Sequence, residues 1–170
     1  MIFRDNKLIK VWYLEMVSIK DFKHSKLPTE VKVVKQEIPY PSLNRYFYIE
    51  VGKKLYWTDR RKWSIEEWSE WVFRDDVSTW ILIVKGTPAG YFELNTQDNE
   101  VEIAHFGLLT NFIGKGYGGG FLSYAIEKAW EQNKKRIWVH TCSLDHPKAL
   151  KNYMDRGFKI FKEIEKKYTN

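Results

Sequence analysis

The chain has 170 residues, 44% of them hydrophobic, with a formal net charge of +6 and a single cysteine. This length suits one domain, which we expect to occupy residues 1–170, and the lone Cys142 excludes an internal disulfide framework. The sequence has no secretory apolar run at the N-terminus and no apolar stretch approaching about 18 residues, so we expect a cytoplasmic protein without a membrane span.

The N-terminal half is predicted to alternate between strands and helices. Apolar residues recur at helical spacing before Gly52, and Ser64 with Glu67 forms a capping box that opens a second helix. Pro residues stop the strand that precedes the first helix. The expected elements are a strand at 8–17, a polar loop at 21–30, a strand at 31–37, a helix from Leu43 to Val51 and a helix from Ser64 to Phe73.

The middle of the chain is predicted to be a meander of three strands, at 78–84, 89–95 and 101–108. After them, five of the ten glycines lie between Leu108 and Gly120. Glycine in the first turn of a helix costs roughly 1 kcal/mol relative to alanine, so this cluster needs an offsetting reason. Close backbone approach by a ligand supplies one, and the N–H groups and dipole of the following helix favour an anion such as a phosphate.

Two other glycine motifs fit this stretch less well. Gly114, Gly116 and Gly119 match the spacing of a dinucleotide fingerprint, but the place of its acidic residue holds Lys134 and Lys135. A phosphate-binding loop of the nucleotide-triphosphatase kind needs Ser or Thr after Gly-Lys, and here Gly116 follows instead. A flexible linker is the remaining alternative, although strong strand and helix patterns flank the stretch without a gap.

The C-terminal part is predicted to form a strand at 136–142, beside the strand at 101–108 in the sheet. Asp145 is expected to cap a helix that begins at His146 and Pro147, because Pro is favoured in the first turn. Gly157 would end this helix. A closing strand at 158–164 and a loose basic tail would follow.

The glycine stretch resembles the acetyl-coenzyme A loop of the GNAT N-acetyltransferases, whose pattern is Gln or Arg, two residues, Gly, one residue, and Gly or Ala. Gly116 and Gly118 occupy the two small positions, and Ile113 stands where Gln or Arg is usual. This departure removes one polar side chain from the pyrophosphate site, where the family binds mostly through backbone N–H groups.

A second stretch extends the resemblance. The family's later signature is Ala, three residues, Tyr, three residues, then Gly and Phe, and it matches Ala149, Tyr153, Gly157 and Phe158. The two motifs occur at compatible spacing, and together they are more specific than either alone.

The resemblance implies an α/β fold with a central twisted mixed sheet flanked by helices. It places a coenzyme A-binding core at 100–160 and leaves a strand-and-loop extension at 1–30. Acetyl-coenzyme A would be the cosubstrate, held by backbone groups where the strand before the glycines bulges and splays from its neighbour. The residues implied to bind it are Leu108, Leu109, Ile113, Gly114, Lys115, Gly116, Tyr117, Gly118, Gly119 and Asn152.

Acyl transfer from a thioester to an amine needs an acceptor for the amine proton and a donor for the leaving thiolate. Glu102 matches the catalytic glutamate of the histone-acetylating branch of the family, with Glu93 and Glu100 as nearby alternatives. Tyr153 matches the general acid beside the coenzyme sulfur. Each also has a structural interpretation, as a solvated or ion-paired carboxylate for Glu102 and an aromatic core anchor for Tyr153.

The acceptor is expected to bind at Trp57, Asp59 and Arg60. An aromatic residue beside the paired basic residues Arg60 and Arg61 can hold an acceptor that bears a carboxylate. The alternative is a loop of solvated charges.

His140 and Cys142 share one face of a strand, which raises the question of a Cys–His nucleophile. Residues i and i+2 of a strand lie roughly 6.5 to 7 Å apart, too far for direct proton transfer. These residues, with His105 and His146, also lack the close spacing of zinc ligands. We therefore expect no metal and no covalent enzyme intermediate.

The sequence predicts an acetyl-coenzyme A-dependent N-acetyltransferase that acts by direct attack of a primary amine of a small molecule or peptide. One alternative takes longer acyl groups, because Phe106, Phe112 and Trp138 could line a wider tunnel. Another is a non-enzymatic acyl-coenzyme A sensor or nucleic-acid module on the same fold. Nucleic acid is not expected, because the basic residues are spread along the chain without a dense stripe. A homodimer is left open.

Overall fold

The computed structural model describes residues 8–167. The expectations for the first seven residues and for the last three residues of the basic tail therefore lie outside the described residues. Within 8–167 the strands are β1 Leu8–Met16, β2 Val31–Lys35, β3 Val77–Val84, β4 Thr87–Thr96, β5 Glu100–Leu108, β6 Arg136–Cys142 and β7 Lys159–Lys167. The helices are α1 Pro41–Gly52, α2 Ile65–Val72, α3 Gly118–Trp130 and α4 Ala149–Asp155.

The strands form one mixed sheet in the order β2-β3-β4-β5-β6-β1-β7. Every neighbouring pair is antiparallel except β5 and β6, which are parallel. This arrangement, with helices packed on the sheet, confirms the predicted fold class. The N-terminal strand β1 lies between β6 and β7, so it is an integral part of the sheet.

The parallel pair at the centre of the sheet is short. Glu100–Glu102 pairs with Arg136–Trp138, and beyond these residues β5 and β6 separate. The separation leaves the backbone at the end of β5 without a strand partner on its β6 side, which matches the predicted splay. A gap therefore opens in the middle of an otherwise continuous sheet.

A bulge in β5 accompanies this separation. Glu93 of β4 pairs with His105, whereas the next residue, Leu94, pairs with Ile103, so Ala104 is an extra residue in β5. Because side chains alternate between the two faces of a strand, one extra residue reverses the face of everything that follows it. The bulge therefore turns His105 to the face that also carries Glu93.

Helices cover the sheet from two sides, and each side has its own core. The larger core packs apolar residues of α3, such as Phe121 and Ile126, against the central strands. The smaller core is mainly aromatic and joins Phe47 and Tyr48 of α1 and Trp68 of α2 to the opposite face. Each fully buried side chain of this size contributes roughly 1.5–3 kcal/mol to stability.

The second predicted helix begins as its sequence indicates. The Ser64 hydroxyl accepts a hydrogen bond from the Glu67 N–H at 3.2 Å, and the Glu67 carboxylate accepts one from the Ser64 N–H at 2.7 Å. This reciprocal pair confirms the predicted capping box.

Two predictions for the C-terminal part are wrong. Asp145 does not cap a helix, because its Oδ2 accepts hydrogen bonds from Thr141 and from the Cys142 N–H, and α4 begins at Ala149. The basic tail is also not loose up to Lys167, because β7 continues to that residue and pairs with β1. Among residues 8–167, no helix has the length and apolar character needed to cross a membrane.

Candidate active site

A cavity of about 820 Å³ occupies the gap between β5 and β6. Its walls come from the ends of these strands, the glycine stretch, α4 and the connection between α1 and α2. One end of the cavity lies at the first turn of α3 and the other at Trp57–Asp59. We call these the glycine end, lined by residues of 113–119, and the acceptor end, lined by residues of 51–59 and by His105.

The glycine end is built from main chain. Gly114 and Gly116 have φ values of 78° and 85°, a region that favours glycine, and apart from the adjoining residues no described atom lies within 4 Å of a Cβ built on either. A Cβ on Gly118 would meet only the Asn152 amide nitrogen, at 3.7 Å. The Tyr117 side chain at the helix N-cap makes no capping hydrogen bond. The first-turn N–H groups of α3 are therefore left for another partner.

Asn152 connects α4 to this turn, because its side chain donates a hydrogen bond to the Gly118 carbonyl at 3.2 Å. Leu108 and Ile113, two of the predicted coenzyme-binding residues, also line the cavity. The other glycine-end residues of the prediction that line it are Gly114, Gly116, Gly118 and Gly119. The cavity wall thus contains polar main chain beside an apolar strand end.

The expected reason for the glycines fails at two positions. A Cβ on Gly120 would lie 2.5 Å from the Lys26 carbonyl oxygen, and a Cβ on Gly119 would lie 2.9 Å from an Arg156 guanidinium nitrogen. These glycines therefore accommodate the chain's own packing, although Gly119 also lines the cavity. Only Gly118 among the three first-turn glycines has open space before it.

Three predicted coenzyme-binding residues do not line the cavity. The Leu109 N–H donates a hydrogen bond to the Ala89 carbonyl at 2.8 Å, so it is already used. Tyr117 is buried in the larger core, and the Lys115 ammonium lies 5.6 Å from the Phe112 ring. The structure therefore does not fit a direct side-chain contact from Tyr117, nor a main-chain contact through the Leu109 N–H.

Tyr153, the predicted general acid, lines the cavity from α4. It packs edge-on against Phe106 and Phe158. Burial raises the pKa of its phenol well above the usual range, and the charge of Asp145 adds to the rise. The phenol therefore keeps its proton at neutral pH.

Glu102, the predicted proton acceptor, is not among the residues that line the cavity. Its carboxylate accepts a hydrogen bond from the Asn95 side chain at 3.2 Å. Of the residues predicted to line a wider acyl tunnel, Phe106 lies in the cavity wall, whereas Phe112 and Trp138 do not.

Two of the three predicted acceptor-binding residues, Trp57 and Asp59, lie in the cavity wall. The Asp59 carboxylate accepts a hydrogen bond from the Tyr48 hydroxyl. Burial alone would raise the pKa of Asp59, but this hydrogen bond and the nearby charges of His105 and Arg60 outweigh it, and the pKa is lowered. Asp59 therefore presents a negative charge to the acceptor end.

The prediction for Arg60 is wrong, because this side chain is buried and fully engaged. Its guanidinium lies 3.0 Å from the Glu93 carboxylate, and its charge stands 4.0 Å from the centre of the Trp71 ring. A buried arginine that pairs with a buried carboxylate is not available to bind a substrate carboxylate. The sequence predicted that Arg60 lies on a loop. It could not predict that Trp71 of α2 packs over the Arg60 guanidinium.

The sequence also left the role of Glu93 and His105 open. Glu93 is completely buried, and its carboxylate accepts hydrogen bonds from Asn44 at 2.8 Å, Trp71 at 2.8 Å and Arg60 at 3.0 Å. His105 Nδ1 lies 3.6 Å from the same carboxylate, and the His105 ring lines the cavity. Burial alone would raise the pKa of Glu93, but His105, Arg60 and Asn44 hold it at about 2.

His140 and Cys142 line the cavity from β6. Partial desolvation by the surrounding protein lowers the pKa of His140, and part of the side chain remains exposed to solvent. Burial raises the pKa of the Cys142 thiol, and the charge of Asp145 adds to the rise. In the described part of the chain, no group of three or more His, Cys, Asp and Glu side chains is arranged to hold a metal ion.

Solved structures with the same fold were found by comparison. A GCN5-related N-acetyltransferase from Sphaerobacter thermophilus aligns with a TM-score of 0.73 at 9% identity, covering 94% of this chain and 52% of that one. Another from Kribbella flavida has a TM-score of 0.67 at 16% identity, with coverages of 92% and 56%. This chain thus spans about half the length of these two proteins.

A third structure is the PaiA N-acetyltransferase from Thermoplasma acidophilum in complex with coenzyme A, with a TM-score of 0.62 and 19% identity. The alignment covers 81% of this chain and 99% of the PaiA chain. At such identities the likeness shows the fold alone, and curated proteins gave no significant match. The sequence model of the acetyltransferase (GNAT) family, however, matches residues 40–158, well over half of the chain. The chain therefore belongs to the GNAT acetyltransferase family.

Proposed function

We propose that the protein transfers an acetyl group from acetyl-coenzyme A to a primary amine by direct attack of the amine on the thioester. The observation that carries the proposal is the gap between β5 and β6, which opens onto the first turn of α3 at one end and onto Asp59 at the other. One cavity thus has room for both reactants. The coenzyme A complex of the PaiA protein supports the choice of donor.

The coenzyme would bind at the glycine end. N–H groups and the dipole of α3 favour the pyrophosphate, and open space in front of Gly114, Gly116 and Gly118 allows it to approach the main chain. Asn152 would hold α4 against this turn. The pantetheine arm would lie along the end of β5, whose backbone has no partner from β6 beyond Glu102.

Tyr153 would supply the proton for the leaving thiolate. Its raised pKa keeps the phenol protonated at neutral pH, so the hydroxyl can donate to sulfur as the bond from carbon to sulfur breaks. Direct attack is favoured over a covalent route through Cys142. A thiol whose pKa is raised by burial is a poor nucleophile, because the thiolate is the reactive form.

The acceptor end supports an amine that arrives as a cation. Asp59 presents an ionised carboxylate there, and Trp57 contributes an aromatic wall, a combination that attracts an ammonium group. Arg60 is committed to Glu93, so an acceptor selected by its carboxylate is not supported. We infer a small molecule or peptide with a primary amine.

A thiol-release assay tests the proposal. The protein is incubated with acetyl-coenzyme A and, separately, with benzylamine, 1,4-diaminobutane and a short peptide with a free N-terminus. We expect thiol release with at least one amine and a product heavier by one acetyl group. Longer acyl donors in the same assay decide the donor preference, and absence of release with every amine would contradict the proposal.

The direct mechanism has its own test. After incubation with acetyl-coenzyme A labelled in the acetyl group and denaturation, we expect no label on the protein. Label retained on the parent protein and lost in Cys142→Ala would contradict direct attack and assign a covalent role to the thiol.

A further inference from the structure

We propose that His105, oriented by the buried carboxylate of Glu93, accepts the proton of the acceptor amine. This inference rests on the proposed function and names a different residue from the glutamate that the family resemblance selects. Glu102 is bonded to Asn95 and lies outside the cavity wall, whereas His105 is part of that wall.

The bulge at Ala104 is what brings His105 to this position. Without the extra residue, the alternation along β5 would turn His105 to the α3 face of the sheet, into the larger core. With it, His105 stands directly opposite Glu93 and beside Trp57, whose ring centre is 4.9 Å away. A bulge that aims one side chain into a cavity is a common device near active sites.

The Glu93 carboxylate is held in place by hydrogen bonds that do not involve His105. Asn44, Trp71 and Arg60 donate to its carboxylate from three separate segments of the chain, and none of it is exposed. These three donors give the carboxylate hydrogen bonds that do not depend on the histidine, and His105 adds to the lowering of the pKa of Glu93. The converse does not hold, because His105 Nδ1 is buried and has no hydrogen-bond partner among the described residues at the usual distance.

The pair therefore matters more for the orientation of the His105 ring than for the position of the Glu93 carboxylate. The nearest acceptor for Nδ1 is the Glu93 carboxylate, 3.6 Å away, and a small movement would close the hydrogen bond. A carboxylate at Nδ1 selects the neutral tautomer that carries its proton there. The other ring nitrogen, Nε2, is then unprotonated and able to accept a proton, and the His105 ring lines the cavity.

The surrounding charges are consistent with this role. Arg60 pairs with Glu93, so the two charges largely offset each other beside His105. Other charged and titratable groups near His105 are Asp59 and Tyr48 from the α1 side and His140 from β6, with Tyr91 close to Glu93 and Glu102 close to His140. Asp59 would attract the ammonium form of the amine towards Nε2.

The proton balance closes without another reactant. The ammonium form of the amine first loses one proton to His105 Nε2, which releases it to solvent. The neutral amine nitrogen then forms a bond to the thioester carbon and loses its second proton to His105 Nε2. The bond from carbon to sulfur breaks, and the thiolate takes the proton of Tyr153. His105 then loses its proton to solvent, and Tyr153 regains one from solvent.

Nuclear magnetic resonance tests the orientation of His105 without any substrate. Long-range correlation of the imidazole nitrogens with the ring protons reports the tautomer of each histidine, and His105→Asn identifies the signals of His105. Above pH 8 we expect the Nδ1–H tautomer in the parent protein and its loss in Glu93→Gln. The Nε2–H tautomer in the parent protein would overturn the proposal, whether or not Glu93→Gln folds.

Kinetics test the role in proton transfer, using the amine that gives most thiol release. For His105→Asn we expect kcat to fall at least about 100-fold, the usual scale for loss of a general base, with acetyl-coenzyme A affinity unchanged in calorimetric titration. The acidic limb of the profile of kcat/KM against pH should disappear, and added imidazole should restore part of the rate. His24→Asn, at an exposed histidine that pairs with Glu127, is the matched control and should keep its rate within twofold.

Three results have separate meanings. A parent protein inactive with every amine contradicts the proposed function. An active parent and an equally active His105→Asn contradict only the role of His105. Loss of the acidic limb in Glu102→Gln and not in His105→Asn would return the role to Glu102.

Discussion

The two ends of the cavity are made in different ways. The glycine end comes from one continuous segment, residues 113–119, and its chemistry belongs to the main chain. The acceptor end is assembled from side chains of distant segments, with His105 and Glu93 on neighbouring strands and Asn44 and Trp71 on the two helices above them. The glycine end depends on the absence of side chains. The acceptor end depends on several side chains whose hydrogen bonds and charges must all be paired.

This difference sets what each end tolerates. At the glycine end a substitution adds atoms, so its effect depends on what the new Cβ meets. At the acceptor end a substitution removes a partner from a buried charge, which is costly because the remaining charge cannot reach water. The acceptor end should therefore be the more fragile part of the fold.

The largest expected effect is that of Glu93→Gln on stability. The substitution keeps the shape and removes the charge that pairs with the buried Arg60 guanidinium. Breaking a buried pair in this way costs about 3–5 kcal/mol, which denaturant unfolding would measure. Asp155→Asn, at an exposed pair with Lys151, is the control and should leave the midpoint unchanged. An equally small change in both variants would contradict the difference between the two ends.

The second expected effect is on the pH dependence of stability. The pKa of Glu93 is lowered from 4.5 to about 2, so its ionised form contributes stability that is fully present above pH 4.5 and is lost as the pH falls towards 2. This shift corresponds to a contribution on the order of 3 kcal/mol. The free energy of unfolding should therefore fall less steeply between pH 5 and pH 2 in Glu93→Gln than in the parent protein. Parallel curves would show that Glu93 is not the group that titrates.

The sequence predicted much of the glycine end because local patterns specify it. Strand and helix periodicities flank the glycines, and a helix N-terminus binds anions through groups that every residue carries. The same logic predicted the capping box at Ser64, whereas the role of Tyr153, which lies in the cavity wall, was implied only by the family resemblance. Local rules work where the chemistry lies in the backbone or in a short motif.

The acceptor end could not be predicted in this way. Whether His105 reaches the cavity depends on a single extra residue at Ala104, and no local pattern marks it. Arg60 looks exposed in sequence because a basic pair on a loop usually is, whereas tertiary contacts bury it against Glu93 and Trp71. Pairings between distant segments decide these positions, and periodicity does not carry that information.

The third prediction separates glycines that the fold needs from those that a ligand needs. A Cβ in Gly120→Ala would lie 2.5 Å from the Lys26 carbonyl oxygen, so the segment beside α3 must move. Overpacking of this kind costs about 1–3 kcal/mol, and the higher helix propensity of alanine offsets only part of it. We expect a lower unfolding midpoint. A midpoint at or above that of the parent protein would show that this segment yields easily.

The last prediction concerns Gly118, the first-turn glycine with open space before it. A Trp there would project into the cavity, because the only described atom near its Cβ is the Asn152 amide nitrogen at 3.7 Å. If coenzyme pyrophosphate occupies that space, Gly118→Trp should weaken acetyl-coenzyme A binding at least about tenfold, a loss of roughly 1.4 kcal/mol. Calorimetric titration measures the affinity, and a denaturant melt shows whether stability is kept.

Gly118→Ala is the matched control at the same position. Its Cβ stands at an ordinary contact distance from Asn152, and alanine favours the helix over glycine by roughly 1 kcal/mol. The alanine variant should therefore bind acetyl-coenzyme A with an affinity close to that of the parent protein and unfold at a slightly higher denaturant concentration. If Gly118→Trp folds and binds acetyl-coenzyme A with the affinity of the parent protein, the coenzyme does not bind at the glycine end. The glycine at position 118 would then need a reason other than a ligand, and Gly119 and Gly120 are already accounted for by contacts within the chain.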